Sequence, residues 1–338
     1  MNRPPDPAAP VRGLGLCSGG LDSMLSALVL RHQGLDVEWI TFETPFFGAD
    51  KARLAAGRLG IPLRVENITS RYLELLKDPP CGFGKNMNPC MDCHALMFRI
   101  AGRIMEKEGF DFLFSGEVLG QRPFSQNRSA LRYVEKHSGY RGFIVRPLSA
   151  KLLEPSIPEQ RGLVDRQALL DISGRSRKRQ MALAKKWGIR DYPSPAGGCL
   201  LTDPGYSARL RDLYANDARI DVAALELLKY GRHLRLNPQV KIIVGRTKEE
   251  NEQIIRYFDS RSDFLLKVRK YPGPTVLMPR GGDEPAVMLA ASICAGYSKA
   301  PETLPVAVRV ATPQGRKTVN VLGIGPAVAK KFLIRAAG

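Results

Sequence analysis

The sequence predicts an α/β chain, a parallel sheet covered by helices on both faces, followed by a smaller α+β module. Three observations predict it. Over residues 1–150, short apolar runs alternate with stretches of helical spacing. A serine–glycine loop joins the first apolar run to the first helix, where an open α/β sheet binds its ligands. Beyond residue 221, strand-like runs follow one another before a helix, which reads as a separate module.

The elements follow in order. Residues 13–17 form a short apolar strand, and 22–33 a helix with Met24, Leu25, Leu28 and Val29 on one side. Residues 37–42 are a second strand, 50–59 a second helix ended by Gly60, and 61–65 a third strand. A longer helix at 91–107 leads to a buried strand at 110–114, and Ile144 and Val145 lie in another. Residues 147–214 read differently, with a basic helix around 175–187 and a Pro/Gly-rich turn at 192–198. The last region offers strands at 240–244, 264–268 and 275–278 and a helix at 284–295. The expected division is a nucleotide-binding domain (1–150), a connecting region (151–220) and a C-terminal module (221–338).

The 338 residues carry a net charge of +18, which points to a polyanionic partner or to a generally basic proteome. No apolar run reaches the roughly 18 residues of a membrane span. The Pro/Ala-rich start, residues 1–10, does not read as a secretory signal, so a cytoplasmic location is expected. In a reducing compartment the six cysteines, Cys17, Cys81, Cys90, Cys93, Cys199 and Cys294, suggest metal or sulfur chemistry rather than disulfides.

The strongest motif is Ser18-Gly19-Gly20-Leu21-Asp22-Ser23, between strand and helix. Glycines let a phosphate approach the backbone, and hydroxyls with the helix-start N–H groups can hold a pyrophosphate. Asp22 beside phosphates makes sense as a Mg²⁺ ligand or as a helix cap. The hexapeptide resembles the PP-loop of the ATP pyrophosphatases (adenine nucleotide alpha hydrolase-like), which implies ATP cleaved between the α and β phosphates and a substrate oxygen adenylated. Ser115-Gly116-Glu117-Val118-Leu119-Gly120-Gln121 resembles the TGExLGQ segment of the 4-thiouridine synthases, with Ser115 in place of Thr. That resemblance places Gly116 and Gln121 beside the nucleotide; Thr41 and Phe42 are adenine-pocket candidates from topology.

Asn88-Pro89-Cys90-Met91-Asp92-Cys93 is a second anchor, with Gly197-Gly198-Cys199 as its distant partner. CxxC alone supplies two metal ligands, short of a closed site. The three cysteines in this order resemble the iron–sulfur-dependent tRNA thiolation enzymes of the PP-loop group. That implies a [4Fe–4S] cluster on Cys90, Cys93 and Cys199 with one iron open to a hydrosulfide. NPCxxC is similar to the 2-thiouridine synthases, and residues 192–202 resemble a thiouridylase-like branch. Three alternatives stay open: a structural zinc with His94 as fourth ligand, a persulfide on Cys199 resolved by Cys90 or Cys93, and, from the CxxCH spelling, a haem attachment. Cys17, Cys81 and Cys294 read as packing residues, Cys81 also as a spare ligand.

Arg175, Arg177, Lys178 and Arg179 precede a helix that also carries Lys185 and Lys186, a face suited to tRNA phosphates or simply to solvent. Residues 264–278 resemble the NFACT-type RNA-binding module of ribosome quality-control proteins, over about 221–305. An N-terminal RNA-binding domain like that of the 4-thiouridine synthases is not seen, so tRNA docking is expected on the basic faces or the last region. The expected function is an ATP-dependent tRNA sulfurtransferase using ATP, Mg²⁺ and a [4Fe–4S] cluster. Asp22 and the three cysteines would be the catalytic groups, and sulfide or a cysteine desulfurase the sulfur source. A homodimer is a further expectation. The rivals are a PP-loop sulfur transferase for a small molecule and an RNA- or ribosome-binding factor.

Overall fold

The computed structural model describes residues 10–194, 198–217 and 220–336, and the chain divides into two compact units, Met1–Leu200 and Leu201–Gly338. The connecting region expected at 151–220 is shared between them. Val164, Leu169, Ile172 and Ala184 join the first core. In the second unit the Tyr206 hydroxyl donates to the Leu225 carbonyl.

In the first unit the elements run β1 (Arg12–Leu16), α1 (Leu21–Arg31), β2 (Asp36–Glu43), α2 (Asp50–Leu59), β3 (Leu63–Asn67), α3 (Thr69–Lys77), α4 (Cys90–Glu108), β4 (Phe112–Ser115), α5 (Arg128–Ser138), β5 (Ile144–Val145), α6 (Ile157–Gln160) and α7 (Lys178–Lys186). All five strands are parallel, in the order β3-β2-β1-β4-β5. The order reverses between β1 and β4, so the loops leaving those two strands flank the crevice where doubly wound sheets take ligands. The core is apolar because α1 presents Leu21, Met24, Leu25 and Leu30 to the sheet, each at most 1% exposed. Each such side chain contributes roughly 1.5–3 kcal/mol by leaving water. Gly13 and Gly15 make room for neighbouring aromatics: a Cβ there would lie 2.6 Å from the Phe112 ring and 2.2 Å from that of Phe114.

The second unit contains α8 (Pro204–Asn216), α9 (Val222–Leu227), β6 (Arg232–Asn237), β7 (Val240–Val244), α10 (Lys248–Arg256), β8 (Phe264–Val268), β9 (Val276–Met278), α11 (Glu284–Gly296), β10 (Val306–Thr312), β11 (Gly315–Val321) and α12 (Pro326–Ala329). Its sheet is antiparallel, in the order β11-β10-β8-β9-β7-β6. One face packs on α11 across all six strands, from Leu234 to Val321. On the other, among the described residues, an apolar cluster of Leu227, Ile243, Ile254 and Leu277 lies beneath α9 and α10, and Arg235 and Lys241 pair with Asp212 and Asp217 at the end of α8. β6, β10 and β11 lie outside the sequence expectation. In β10 the inward Val306, Val308 and Val310 do alternate, a legible signal. β11, largely exposed, has too little apolar surface to announce itself. Among the described residues no helix is long and apolar enough to cross a membrane.

Candidate active site

Gly19 has φ +69°, and a Cβ there would sit 2.2 Å from the Lys51 backbone, so the first turn of α2 closes directly on the loop. Gly20, by contrast, faces only the Ser18 hydroxyl, at 3.3 Å from where a Cβ would stand. Gly20 is also the N-cap of α1 and makes no side-chain cap bond, which leaves the helix start uncapped for an anion. The Gly20 N–H donates to Ser18 Oγ at 3.3 Å, and Ser23 Oγ donates to the Gly20 carbonyl at 2.7 Å. Cys17, immediately before the loop, is inert by burial, its thiol pushed up to about 11.

The β4 loop locks onto this turn. A Cβ on Gly116 would lie 2.5 Å from the Asp22 and Ser23 backbone, so only glycine permits the approach. Gln121 Nε2 donates to Asp22 Oδ2 at 2.7 Å, and Gln180 Nε2 of α7 donates to Gln121 Oε1 at 2.9 Å. Asp22 Oδ1 is buried without a hydrogen-bond partner among the described residues, as is Gln180 Oε1. A carboxylate oxygen held on one side and orphaned on the other fits a Mg²⁺·ATP ligand. Gln121 therefore reaches the loop through Asp22. Gln180, absent from the sequence expectation, is a buried polar residue inside a basic run that gave no cue to its partner.

Glu117 links this loop to the cysteines. Its carboxylate takes Ser115 Oγ at 3.1 Å, Arg146 Nε at 3.0 Å and His94 Nδ1 at 3.0 Å. Burial alone would raise its pKa, but Arg146 and then His94 hold it down to about 2. Arg146 is itself buried and also paired with Glu135. His94 is thereby oriented by Glu117 through Nδ1, the carboxylate–histidine arrangement that leaves Nε2 for any other partner.

Cys90 opens α4 and Cys93 lies one turn on. The Asn88 amide donates to Cys90 Sγ at 3.1 Å while its carbonyl accepts the Asn86 N–H, so the Asn of the NPC word orders the turn and supports the sulfur. Cys93 is buried, and its thiol is pushed well up, first by burial and then by the Cys199 charge, while a bond to Tyr72 pulls the other way. Cys199 is half-buried and within electrostatic reach of both Cys93 and Tyr72. The fold thus gathers the three cysteines around Tyr72. Three soft thiols suit an iron–sulfur cluster by donor chemistry. Among the described residues no group of three or more His, Cys, Asp or Glu side chains is placed so as to hold a metal ion. The 195–197 part of the preceding turn, including Gly197, lies outside the described residues. Cys81 is tied to the CxxC turn through Asp92: its N–H donates to Asp92 Oδ2 and its thiol lies near the Tyr133 hydroxyl, which also donates to Asp92.

Thr41 and Phe42 are buried near the end of β2, where they pair with Val65 and Glu66 of β3. Arg175, Arg177, Lys178 and Arg179 gather at the start of α7, with Arg179 paired to Asp171. Cations at a helix start oppose the dipole, so that arrangement favours an anion nearby. The Gly174 N–H donates to Leu119 O, which holds this basic turn against the Gln121 loop. Phe124, three residues beyond Gln121, is 88% exposed on a loop pinned by Gly120 N–H to Gln126 O and Asn127 Nδ2 to Pro123 O.

Residues 10–151 match the family model described as thiamine biosynthesis protein (ThiI), and residues 231–332 that of the NFACT protein RNA binding domain. A probable tRNA sulfurtransferase of Oceanobacillus iheyensis is 27% identical over 146 residues, 40% of this chain and 34% of the relative. A tRNA-specific 2-thiouridylase MnmA of Clostridium acetobutylicum is 32% identical over 118 residues, 29% of this chain and 33% of the relative. The chain thus spans about a third of the length of the curated relatives it matches. A crystal structure of a 4-thiouridine synthetase–RNA complex with bound ATP superposes with a TM-score of 0.38 at 22% identity, covering 53% of this chain and 41% of that one.

Proposed function

We propose, from a first unit that carries a ThiI-type PP-loop domain and a second that carries an NFACT-type RNA-binding domain, that the chain is an ATP-dependent tRNA sulfurtransferase of the cytoplasm. The observation that carries this reading is the juxtaposition in one unit of an uncapped phosphate loop and three gathered cysteines, joined by the Ser115–Gln121 loop. The orphaned oxygen of Asp22 suits Mg²⁺ at the triphosphate, and Gln121, braced by Gln180, holds the carboxylate in place. The helix-start N–H groups and the cations ahead of α7 would offset charge as pyrophosphate leaves. A tRNA base oxygen attacks the α-phosphate, giving an adenylated base, and sulfur then displaces AMP.

Cys90, Cys93 and Cys199 would hold a [4Fe–4S] cluster, whose chemistry when bound is to accept a hydrosulfide at the iron the protein leaves open. Asn88 supports the Cys90 sulfur, and Tyr72 and burial keep water from Cys93. Phe124 offers an exposed ring beside Gln121 on which a nucleobase can stack. Sulfide, or sulfur mobilised from cysteine by a desulfurase, is the donor consistent with this site. The test is nucleoside analysis of tRNA incubated with the protein, ATP, Mg²⁺ and sulfide without oxygen. Release of one pyrophosphate per thiolated nucleoside is expected; pyrophosphate release that ignores tRNA would sink the reading.

A further inference from the structure

The antiparallel sheet of the second unit is covered unevenly. Its α11 side is packed from edge to edge, whereas on the opposite side α8, α9 and α10 cover the β6, β7 and β9 part and leave β10 and β11 exposed. Strand alternation sends Leu266, Val308 and Val310 inward and leaves Lys267, Arg269, Arg309, Arg316 and Thr318 on the uncovered side. Lys317, the odd neighbour, confirms the parity by pairing with Glu284 of α11 on the packed side.

The register concentrates the charge. Arg309 lies directly opposite Lys267 on β8 and Thr318 on β11, and Arg316 lies opposite Ala311. Like charges facing each other across a strand pair are destabilising unless an anion intervenes. β8, β10 and β11 contain no Asp or Glu, and among the described residues these four cations form no ion pair. Ala307 and Ala311 between them keep the face low, so a flat polymer can approach. At the α10 margin the face runs into a cavity of about 250 Å³ lined by Lys248, Asn251, Glu252, Lys267, Tyr271 and Thr275 among others. Glu252 is its one acidic group, and Tyr271 is 38% exposed there. Charge, flatness and an aromatic-edged recess together suit a phosphodiester chain with a base turned inward.

We propose that the uncovered β8–β10–β11 face is the RNA-binding surface of the second unit, with Lys267, Arg309 and Arg316 on phosphates and the adjoining recess taking a base. The proposal rests on the reading of this unit as RNA-binding and names the face that does it. The test uses the full chain and a tRNA transcript, with affinity measured by fluorescence anisotropy over a salt series. Lys267→Ala/Arg309→Ala/Arg316→Ala should bind at least tenfold more weakly at moderate salt, and its log–log salt slope should be shallower by about 2–3, at roughly 0.9 for each phosphate no longer neutralised. All three positions are exposed, so the melting temperature should hold. Lys330→Ala/Lys331→Ala, equally exposed but off this face, should change affinity less than twofold. Wild-type binding with an unaffected triple variant would overturn the face and leave the RNA reading standing. An equal loss in the Lys330/Lys331 variant, or equal affinity for DNA of the same sequence, would also overturn it. Failure of the wild type to bind any RNA would instead strike down the reading on which the proposal rests.

Discussion

Asp22 shows how one side chain can be both anchored and incomplete. Gln121 holds one oxygen at 2.7 Å and the other is buried with no partner among the described residues. Such an oxygen costs stability in the free protein and repays it only by binding a cation or donor. Asp22→Ala should therefore lower tRNA-dependent pyrophosphate release on the order of 10²–10³-fold, the scale of losing a group that stabilises transition-state charge. The melting temperature should stay level or rise slightly; a large destabilisation would make Asp22 structural. The cysteines separate in the same way. Cys90→Ala, Cys93→Ala and Cys199→Ala should each abolish the brown colour and iron content of anaerobically purified protein and, with them, thiolation. Pyrophosphate release should persist, because the phosphate loop keeps its own hydrogen bonds. Cys17→Ala and Cys294→Ala, in the two apolar cores, should retain the iron. Fully active protein with tightly bound zinc would refute the cluster, and metal-free activity with a persulfide on Cys199 would favour that route instead.

At the scale of elements, the Ser115–Gln121 loop ties the first unit's site together. It meets the phosphate loop at Gly116, α7 through Gln121, and α4 through Glu117 and His94. Glu117 is ionised in a buried site because Arg146 lies against it. Removing one partner of such a pair costs about 3–5 kcal/mol, so Glu117→Ala should lower the urea midpoint strongly. The pH dependence follows from the depressed pKa. Stability from this carboxylate is fully present above about 4.5 and is lost as pH falls through about 2. Over that window the wild type should lose on the order of 3 kcal/mol that Glu117→Gln does not, at about 1.36 kcal/mol per unit. Parallel acid profiles for the two proteins would show that Glu117 is not held ionised.

For the whole molecule, +18 charges must be shared between at least two basic regions, the start of α7 and the open face of the second sheet. If both meet tRNA, affinity should fall about 10³-fold or more between 50 and 200 mM salt, as expected when several phosphates are neutralised. Arg175→Ala/Arg177→Ala/Lys178→Ala should then weaken tRNA binding beyond the loss seen in the open-face variant, and the two effects should add, since each set of cations meets different phosphates. A flat salt response would leave the excess charge without an RNA role.

How much of this was legible in the sequence depended on whether the cue was local. The loop between β1 and α1 was, because Ser18 to Ser23 are six consecutive residues between an apolar run and a periodic helix. So were the parallel strands, whose apolar runs report burial directly, and the CxxC pair, whose spacing places both sulfurs on the first turn of α4. The roles of Gln180, Glu117 and Arg146 were not, since each is defined by a partner far away in the chain: Gln180 lies 59 residues from Gln121, and Arg146 lies 29 from Glu117. β11 escaped because a polar edge strand looks like loop until its partner supplies the ladder. Residue types and their spacing determined the kind of chemistry available to this chain. Tertiary structure alone decided which glycine faces a backbone, which carboxylate oxygen is left without a partner, and which cations stand side by side on an uncovered sheet, because those are distances between segments that only folding brings together.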